Sequence, residues 1–171
     1  PCYHKLLIIS DVAVIPLPDF KQKMVQIGYL ARTANLLGIE APKIACIAPS
    51  EQLLPNVISS TEGVLLAKMA DRGQLGNVVV DGPLSLDVAL YKEVAEHKKV
   101  KGSSVAGDPD CLLFPNLESA NVFFKSVTHL CGGELAAMVM GTKVPCVLTS
   151  RGDTSKTKLY SIALACLAVK Q

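Results

Sequence analysis

The chain has 171 residues, of which 50% are hydrophobic and 19% charged, and its formal net charge is +2. This composition is typical of a globular domain with a sizeable core and excludes a disordered chain. The charge is spread thinly, aromatic residues make up only 5% and Trp is absent, which argues against a nucleic-acid surface. No apolar run reaches the roughly 18 residues that a membrane span needs.

The apolar pattern alternates between short strand-like runs and segments with a helical period. In chain order, the predicted elements are strand 5–10, helix 20–37, strand 43–48, helix 62–69, strand 77–81, helix 86–97, strand 111–115, helix 118–130, strands 135–141 and 145–150, and a helix from 155 to the end. Continuous Val, Ile, Leu and Ala runs between helices indicate a mostly parallel sheet with helices on both faces. We therefore predict a single α/β domain over residues 1–171.

Several helix ends carry recognisable signals. Asp19 and Gln22 have the spacing of a capping box at the start of the first helix, and Gly38 is a suitable stop. Ser85 is a suitable cap for the helix that follows it. Residues 162–169 of the last helix are apolar on every side, which predicts that another domain or subunit covers this helix.

Six cysteines lie at positions 2, 46, 111, 131, 146 and 166. None has Cys-x-x-Cys spacing or a His at metal-ligand spacing, so no metal site is expected. Most of them lie in apolar runs, where Cys behaves as a small hydrophobe. Since the sequence also shows no signal peptide, we expect reduced, buried thiols in a cytoplasmic protein.

Ligands of an open parallel sheet bind at the carboxyl ends of the strands. Three strand-to-helix loops carry polar residues here, namely DGPLS (81–85), FPNLESAN (114–121) and TSRGDTS (149–155). Each helix N-terminus offers free N–H groups and a positive dipole end. Asn121 and Lys125 share a helix face, and the Arg151 guanidinium suits bidentate phosphate recognition. Together these residues indicate a phosphate-bearing ligand.

Structural roles compete with these assignments. Asp153 or Ser155 can serve as a plain helix cap. Arg151 can belong to a surface ion pair, Lys125 can be a solvated charge, and Asp81 with the following Gly can be only a turn. From periodicity and spacing alone, the interpretation stops at an α/β protein with a candidate phosphate site.

Several sequence blocks resemble those of the phosphate acyltransferases and follow one another in the same order as in that family. They are KMADRGQ (68–74), VVDGPLSLDVAL (79–90), VAGDPDCLLFPNLESANVFFK (105–125) and GTKVPCVLTSRGDTSKTKLYSIALA (141–165). The similarity is greatest to the phosphate butyryltransferase branch and runs from near residue 3 to the C-terminus. This family converts acyl-CoA and phosphate into acyl phosphate and CoA.

The resemblance also implies an architecture. The family's fold has two α/β domains with a cleft between them, and its relatives include the isocitrate and isopropylmalate dehydrogenases. Only the later part of the family's chain has a counterpart here, which implies that the N-terminal domain is absent. The family forms dimers or larger assemblies, so a homodimer or higher homo-oligomer is expected.

The resemblance implies roles for the loop before the last helix. In its Ser-Arg-Gly motif, Ser150 would hydrogen-bond the reacting thioester or the departing thiolate, and Arg151, next to Gly152, would bind the phosphate-rich part of CoA. The acetyltransferase branch carries an Asp seven residues after this Ser as the base for the CoA thiol. Thr157 stands there in this chain, which favours the butyryl branch and makes Asp153 the candidate substitute.

Four further residues are implied as substrate contacts. The FPNLESAN block matches a family block that lines the cleft, which makes Asn121 and Lys125 second-rank candidates. Asp81 and Gly82 are third-rank candidates. Acyl-CoA and phosphate would be substrates, with no permanently bound cofactor.

Three functions stay open on the sequence. The first is a phosphate acyltransferase acting on short- or branched-chain acyl-CoA. The second is an inactive CoA-binding or dimerising fragment of such an enzyme. The third is a phosphate acetyltransferase, another acyltransferase or a dehydrogenase relative on the same fold, although the sequence lacks the arginine cluster and metal-binding aspartates that the dehydrogenases need.

Overall fold

The structure is a computed structural model and describes residues 3–169. Its elements in chain order are β1 Ile8–Ser10, α1 Phe20–Leu36, β2 Lys43–Ile47, α2 Ile58–Asp71, β3 Val79–Leu84, α3 Leu86–Leu90, α4 Lys92–His97, β4 Cys111–Leu113, α5 Leu117–His129 and α6 Ser155–Val169. The chain divides into two compact units, one up to Val122 and one from Phe123 onward. The assignment of one domain from a two-domain family stays a prediction.

The four strands form one parallel sheet in the order β1–β4–β2–β3. Strands that follow one another in the chain are joined by segments that contain helices, as a parallel sheet requires. This arrangement confirms the predicted α/β fold with a mostly parallel sheet. The relation to the dehydrogenase superfamily stays a prediction.

The core of the first unit lies on both faces of the sheet. On one face, α1 and α2 pack on strand residues in a cluster of Ile27, Leu30, Ala34, Ile44, Cys46, Leu66, Val78, Val80, Cys111 and Leu113. Ala45 and Leu112 point to the opposite face because strand side chains alternate, and they are fully buried as well. Helix α3 contacts β2. Both faces are therefore covered.

Helix α1 begins where its sequence signal predicts. The Asp19 carboxylate accepts the Gln22 N–H at 2.8 Å, and the Gln22 side chain accepts the Asp19 N–H at 2.8 Å. This reciprocal pair confirms the capping box. Gly38 follows the helix with a φ of +86°, a left-handed conformation that Gly adopts without a steric penalty.

The predicted helix 86–97 is divided in two. Tyr91 has extended backbone angles and separates α3 from α4. Ser85 precedes α3 as predicted, but its hydroxyl makes no capping bond. It instead donates to Glu51 at 3.3 Å and accepts from Lys98 at 3.3 Å, and this polar network takes the place of a cap.

The two strands predicted at 135–141 and 145–150 are wrong. Among the described residues of the second unit, this region contains only an isolated antiparallel bridge between Val139 and Cys146. Residues 141–145 between them are exposed, Gly141 has a φ of +91°, and Pro145 lacks an N–H for a ladder. A strand needs a neighbouring strand to pair with, and an apolar run in the sequence does not show that one is present.

Helix α6 leaves most of its apolar side chains exposed on the described chain. Leu159, Ile162 and Val169 are exposed, whereas Thr157 and Ser161 are buried. The expected cover by another domain or subunit stays a prediction. Residues 170 and 171, the end of the predicted helix, lie outside the described residues.

The cysteines separate into two groups. Cys46 and Cys111 are buried as expected, and burial raises the pKa of each thiol to about 12. The expectation is wrong for Cys131 and Cys166, which are exposed, and Cys146 is half-buried. The cysteine at position 2 lies outside the described residues. Within residues 3–169, no helix is long and apolar enough to cross a membrane.

Candidate functional site

Residues 150–153 form a tight turn directly before α6. The Asp153 N–H donates to the Ser150 carbonyl oxygen at 3.1 Å. In return, the Ser150 N–H donates to Oδ2 of Asp153 at 2.7 Å. A carboxylate that accepts a backbone N–H makes a charge-assisted bond, so this pair holds the Asp153 carboxylate against the Ser150 backbone.

The cap of α6 is Thr154. Its hydroxyl oxygen accepts the Thr157 N–H at 3.1 Å, and its carbonyl oxygen accepts the Lys158 N–H at 3.1 Å. This is the hydrogen-bond pattern of an N-cap. The plain-cap alternative for Asp153 or Ser155 is therefore wrong, because Thr154 fills that role.

The side chains of Ser150 and Arg151 point to solvent. Both residues are exposed, and neither side chain makes a hydrogen bond or an ion pair within residues 3–169. The surface ion pair considered for Arg151 is therefore not formed in the described chain. A Cβ on Gly152 would have no heavy atom within 4 Å, so the space beside the turn is open. An unpaired guanidinium near a helix N-terminus suits an anionic ligand.

The lysines near the start of α6 differ in their partners. Lys156 pairs with Glu134, and this hydrogen bond raises the pKa of Lys156 and lowers the pKa of Glu134. Lys158 is exposed and has no ion pair within the described part of the chain. Arg151 and Lys158 are therefore the unpaired cations at the start of this helix.

Asp81 and Gly82 lie within β3, so the predicted turn at this point is wrong. Oδ1 of Asp81 accepts the Gly82 N–H at 2.8 Å. A Cβ on Gly82 would lie 2.6 Å from the Cβ of Cys46, and one on Gly63 would lie 3.2 Å from the Pro83 nitrogen. Gly82 and Gly63 therefore allow β2, β3 and α2 to pack closely. The ligand-binding role inferred for Asp81 and Gly82 stays a prediction.

Asn121 and Lys125 lie one turn apart on α5 and are both half-buried. The Asn121 side-chain amide donates to the Val12 carbonyl oxygen at 2.9 Å. The Lys125 ammonium lies 4.3 Å from the centre of the Phe124 ring, and Lys125 has no ion pair within residues 3–169. Asn121 thus contacts the loop after β1, whereas the Lys125 charge is not neutralised by a described carboxylate.

The loop between β1 and α1 was not predicted from the sequence as part of a site. Oδ1 of Asp11 accepts the N–H groups of Ala13 and Val14 at 2.9 and 3.1 Å, and Oδ2 accepts the Ile15 N–H at 2.8 Å. One carboxylate therefore organises the first half of this loop. An Asp directly after a strand is a known turn signal and would have identified it.

This loop is joined to the FPNLESAN block. Hydrogen bonds between this block and the end of β1 with its loop include Phe114 N–H to the Ser10 carbonyl at 3.0 Å, Leu117 N–H to the Pro16 carbonyl at 3.0 Å and the Asn121 amide to the Val12 carbonyl at 2.9 Å. Because β4 lies beside β1, both segments emerge at the same carboxyl edge of the sheet.

A buried ion pair lies at the same edge and was also missed. Lys23 of α1 contacts Glu62 of α2, and both side chains line a small cavity with Cys46, Phe114 and Pro115. Lys23 is only 4% exposed. Because the Lys23 ammonium is removed from water, its stability in the fold depends on the Glu62 carboxylate.

The structure brings some predicted site residues together and separates others. Ser150, Arg151, Gly152 and Asp153 form one turn of the second unit, which also contains Lys125. In the first unit, Asn121 lies beside β1 while Asp81 and Gly82 lie on β3, at the other end of the strand order. With about 4.8 Å between strands, three strand spacings separate these positions by roughly 14 Å.

Comparison with known proteins gives relatives that match nearly the whole of this chain. Phosphate butyryltransferase from Clostridium acetobutylicum is 43% identical over 165 residues, which are 96% of this chain and 54% of that protein. Phosphate acetyltransferase from Thermotoga maritima is 40% identical over 165 residues, 96% of this chain and 56% of that protein. The crystal structure of a branched-chain phosphotransacylase from Enterococcus faecalis V583 has a TM-score of 0.84 and 31% identity, covering 94% of this chain and 57% of that one.

The chain spans about half the length of the curated relatives it matches. The family model for phosphate acetyl/butaryl transferase matches residues 2–166. This match includes the strand-end loops and the turn before α6. The chain therefore belongs to the phosphate acetyl/butaryl transferase family.

Proposed function

We propose that this chain contributes to the active site of a phosphate acyltransferase of the butyryl type, which uses short- or branched-chain acyl-CoA. A phosphate oxygen attacks the thioester carbonyl carbon, so that a C–O bond forms and the C–S bond breaks. The electron pair leaves with the CoA sulfur, which then takes up a proton. The products are acyl phosphate and CoA.

The turn at residues 150–153 is the observation that carries this proposal. The guanidinium of Arg151 is exposed and unpaired within residues 3–169, so its donors are available to the phosphates of CoA. The Ser150 hydroxyl is likewise available to donate a hydrogen bond to the thioester oxygen or the sulfur as negative charge develops there. Catalysis at this turn would rest on positioning and electrostatic stabilisation.

Ser150 is proposed as a hydrogen-bond donor and not as a nucleophile. A catalytic Ser needs a base within hydrogen-bond distance of its hydroxyl. The Ser150 hydroxyl has no such partner in the described chain, because the bond to Asp153 comes from the backbone N–H. Direct attack by phosphate on the bound thioester requires no acyl-enzyme.

Asp153 is proposed to handle the proton of the CoA thiol. Its Oδ2 accepts the Ser150 N–H, and its Oδ1 has no hydrogen bond within residues 3–169. Oδ1 would take the thiol proton in the direction that consumes acyl phosphate, and return it in the other direction. Thr157 cannot do this work, since it is buried and bonded to Thr154.

Further substrate contacts are proposed at Asn121 and Lys125, and in third place at Asp81 and Gly82. CoA and phosphate would bind and leave as substrates, and the proposed reaction needs no resident cofactor. A cytoplasmic location and a homo-oligomeric assembly, both expected from the sequence, complete the proposal.

A second candidate is favoured by the length comparison. Because the chain spans about half of its curated relatives, it is a CoA-binding or dimerising module without turnover of its own if essential phosphate contacts lie elsewhere. The discriminating experiment measures phosphate-dependent thiol release from butyryl-CoA. It compares these 171 residues with the product of the whole gene.

Activity in both proteins would establish that residues 1–171 suffice, with Arg151 as the leading phosphate contact. Activity only in the longer product would support the enzyme assignment and the modular role of this chain. Absence of activity in both, with folded proteins and several acyl-CoAs tried, would overturn the enzyme assignment. Omitting phosphate is the control, because simple thioester hydrolysis does not depend on it.

A further inference from the structure

We infer that Ser161 is a positioning residue for the turn at residues 150–153, because hydrogen bonds lead from its hydroxyl to both ends of this turn. The inference rests on the proposed function, since it concerns how the same turn is held for the substrate. It assigns a role to a residue in the middle of α6, outside the Ser-Arg-Gly motif.

The first observation is that α6 buries hydroxyl groups and leaves apolar side chains exposed. Thr157 and Ser161 are the buried residues of this helix in the described chain, and Ser161 is fully buried. Leu159 and Ile162 are 63% and 55% exposed. Apolar burial within residues 3–169 therefore does not fix the orientation of α6, as it does for an ordinary amphipathic helix. A buried hydroxyl is unfavourable unless it is hydrogen-bonded, so its partners matter.

The second observation is that the Ser161 hydroxyl joins α6 to a distant segment. Its oxygen accepts the Ala137 N–H at 3.0 Å, across 24 positions of the sequence. The same hydroxyl donates to the Thr157 carbonyl oxygen at 2.8 Å, one turn earlier in the helix. Ala137 lies in a segment that forms neither a helix nor a strand. Its N–H therefore depends on Ser161 for the partner that a sheet would otherwise supply.

The third observation is the connection from Ser161 to the end of the turn. Ser161 bonds the Thr157 carbonyl, and Thr157 in turn bonds Thr154. The Thr154 hydroxyl accepts the Thr157 N–H at 3.1 Å and donates to the Thr157 hydroxyl at 3.2 Å. Thr154 directly follows the turn. The buried hydroxyls of α6 thus lead to the C-terminal side of residues 150–153.

The fourth observation is the connection from Ser161 to the start of the turn. Ala137, which Ser161 holds, lies two residues before Val139. The Val139 N–H donates to the Cys146 carbonyl oxygen at 2.8 Å, and Ser150 follows Cys146 by four residues. Residues 137–139, 146–153 and 154–161 therefore form a contact ring. The bond between Ala137 and Ser161 closes this ring.

Exposed contacts tie the same segment to α6 and offer a comparison. Glu134 pairs with Lys156 and accepts the Tyr160 hydroxyl at 3.4 Å, and all three side chains are exposed. Exposed pairs contribute little to stability, whereas a buried N–H without a partner is costly. We therefore expect the Ser161 hydroxyl, and not the Tyr160 hydroxyl, to keep the contact ring closed.

The experiment compares Ser161→Ala with Tyr160→Phe in the product of the whole gene. Each variant removes one hydroxyl from adjacent positions of α6, and Ala is a strong helix former. The first measurement is amide hydrogen exchange of the Asp153 N–H, which closes the turn on the Ser150 carbonyl. We expect this exchange to be about ten-fold faster in Ser161→Ala. It should stay within about two-fold of the parent in Tyr160→Phe.

The second measurement is kcat/KM for butyryl-CoA in the presence of phosphate. A loosened turn holds Arg151 and Ser150 less well for the substrate, so Ser161→Ala should lower kcat/KM by about ten-fold. Tyr160→Phe should leave it unchanged. In an Arg151→Gln background, Ser161→Ala should lower kcat/KM by only about three-fold, because part of what the contact ring positions is already removed. A merely structural defect would give equal losses in the two backgrounds.

Unchanged exchange at Asp153 in Ser161→Ala, or an equal rise in Tyr160→Phe, would overturn the inference. Equal losses of kcat/KM in the two backgrounds would also overturn it. A Ser161→Ala protein that does not fold would do so too, because the hydroxyl would then hold the whole unit and not this turn. A parent protein that is folded but turns over no acyl-CoA would instead overturn the proposed function. The two failures are distinguishable, since the exchange measurement needs no turnover.

Discussion

The carboxylate of Asp153 accepts the backbone N–H of Ser150 at 2.7 Å, and the Asp153 N–H closes the same turn on the Ser150 carbonyl. The two residues proposed for catalysis are thus fixed relative to each other through the backbone. The Ser150 hydroxyl takes no part in this contact, and it remains available to a ligand.

This relationship predicts the behaviour of Asp153→Asn. The amide oxygen of Asn can still accept the Ser150 N–H, so the turn and the melting temperature should be preserved. Asn cannot accept the thiol proton, and the loss of a general base should lower kcat by roughly 100-fold or more. Steady-state kinetics with butyryl phosphate and CoA, the direction in which the thiol proton is removed, and thermal unfolding together check both parts. Near-normal turnover would remove Asp153 from the proposed mechanism.

Arg151→Gln should weaken the binding of CoA without affecting stability. The guanidinium has no described partner to lose, so the melting temperature should not change. A charge-assisted hydrogen bond contributes about 1.5–3 kcal/mol, so KM for acyl-CoA should rise by roughly ten-fold or more. The matched control is Arg32→Gln, an exposed Arg of α1. An equal change in KM for both variants would contradict a specific role for Arg151.

Thr154→Ala should destabilise the start of α6. The Thr154 hydroxyl oxygen accepts the Thr157 N–H, and loss of such a cap costs about 1 kcal/mol. Thr154→Ser keeps the hydroxyl and should retain most of the stability. The free energy of unfolding, measured with denaturant, separates the two variants. If Ser155→Ala has the larger effect instead, the assignment of Thr154 as the cap is incorrect.

The sequence predicts elements well where local signals agree. For α1, the helical period, the Asp19–Gln22 capping box and the Gly38 stop all mark the same segment, and the structure has it there. The strands of the first unit are short apolar runs, and they form a parallel sheet as predicted. Residues 135–141 and 145–150 have a similar apolar pattern. The described residues of the second unit contain no sheet with which they could pair, so the apolar pattern alone wrongly predicts strands there.

The candidate site was predictable in composition but not in its hydrogen bonds. The sequence placed a carboxylate and hydroxyls before α6, and it offered Asp153 or Ser155 as the cap. The cap is Thr154 between them, because helix boundaries read from sequence shift by a residue or two. The bond between Asn121 and Val12 joins positions 109 residues apart. No local period or spacing reports such a contact, which is why the bond between the loop after β1 and α5 was missed.

Acid should destabilise the protein through Asp108. Hydrogen bonds from Lys43, and then from Lys5, hold the pKa of this carboxyl well below its usual range. A carboxyl with a lowered folded-state pKa stabilises the fold above its unfolded-state pKa of about 3.9, and this contribution is lost as the pH falls further. Urea unfolding at pH 7, 4 and 3 should show a smaller loss at low pH for Asp108→Asn than for the parent. Identical pH dependence of the two would contradict this role.

The buried pair of Lys23 and Glu62 should behave as a unit. Glu62→Gln leaves the Lys23 ammonium, only 4% exposed, without a countercharge, and such a change typically costs about 3–5 kcal/mol. Lys23→Met leaves the Glu62 carboxylate unpaired in the same way. The double variant removes both charges and should be more stable than the sum of the two single losses predicts. A double-mutant cycle from denaturant unfolding measures this coupling, and strictly additive losses would mean that the two charges do not depend on each other.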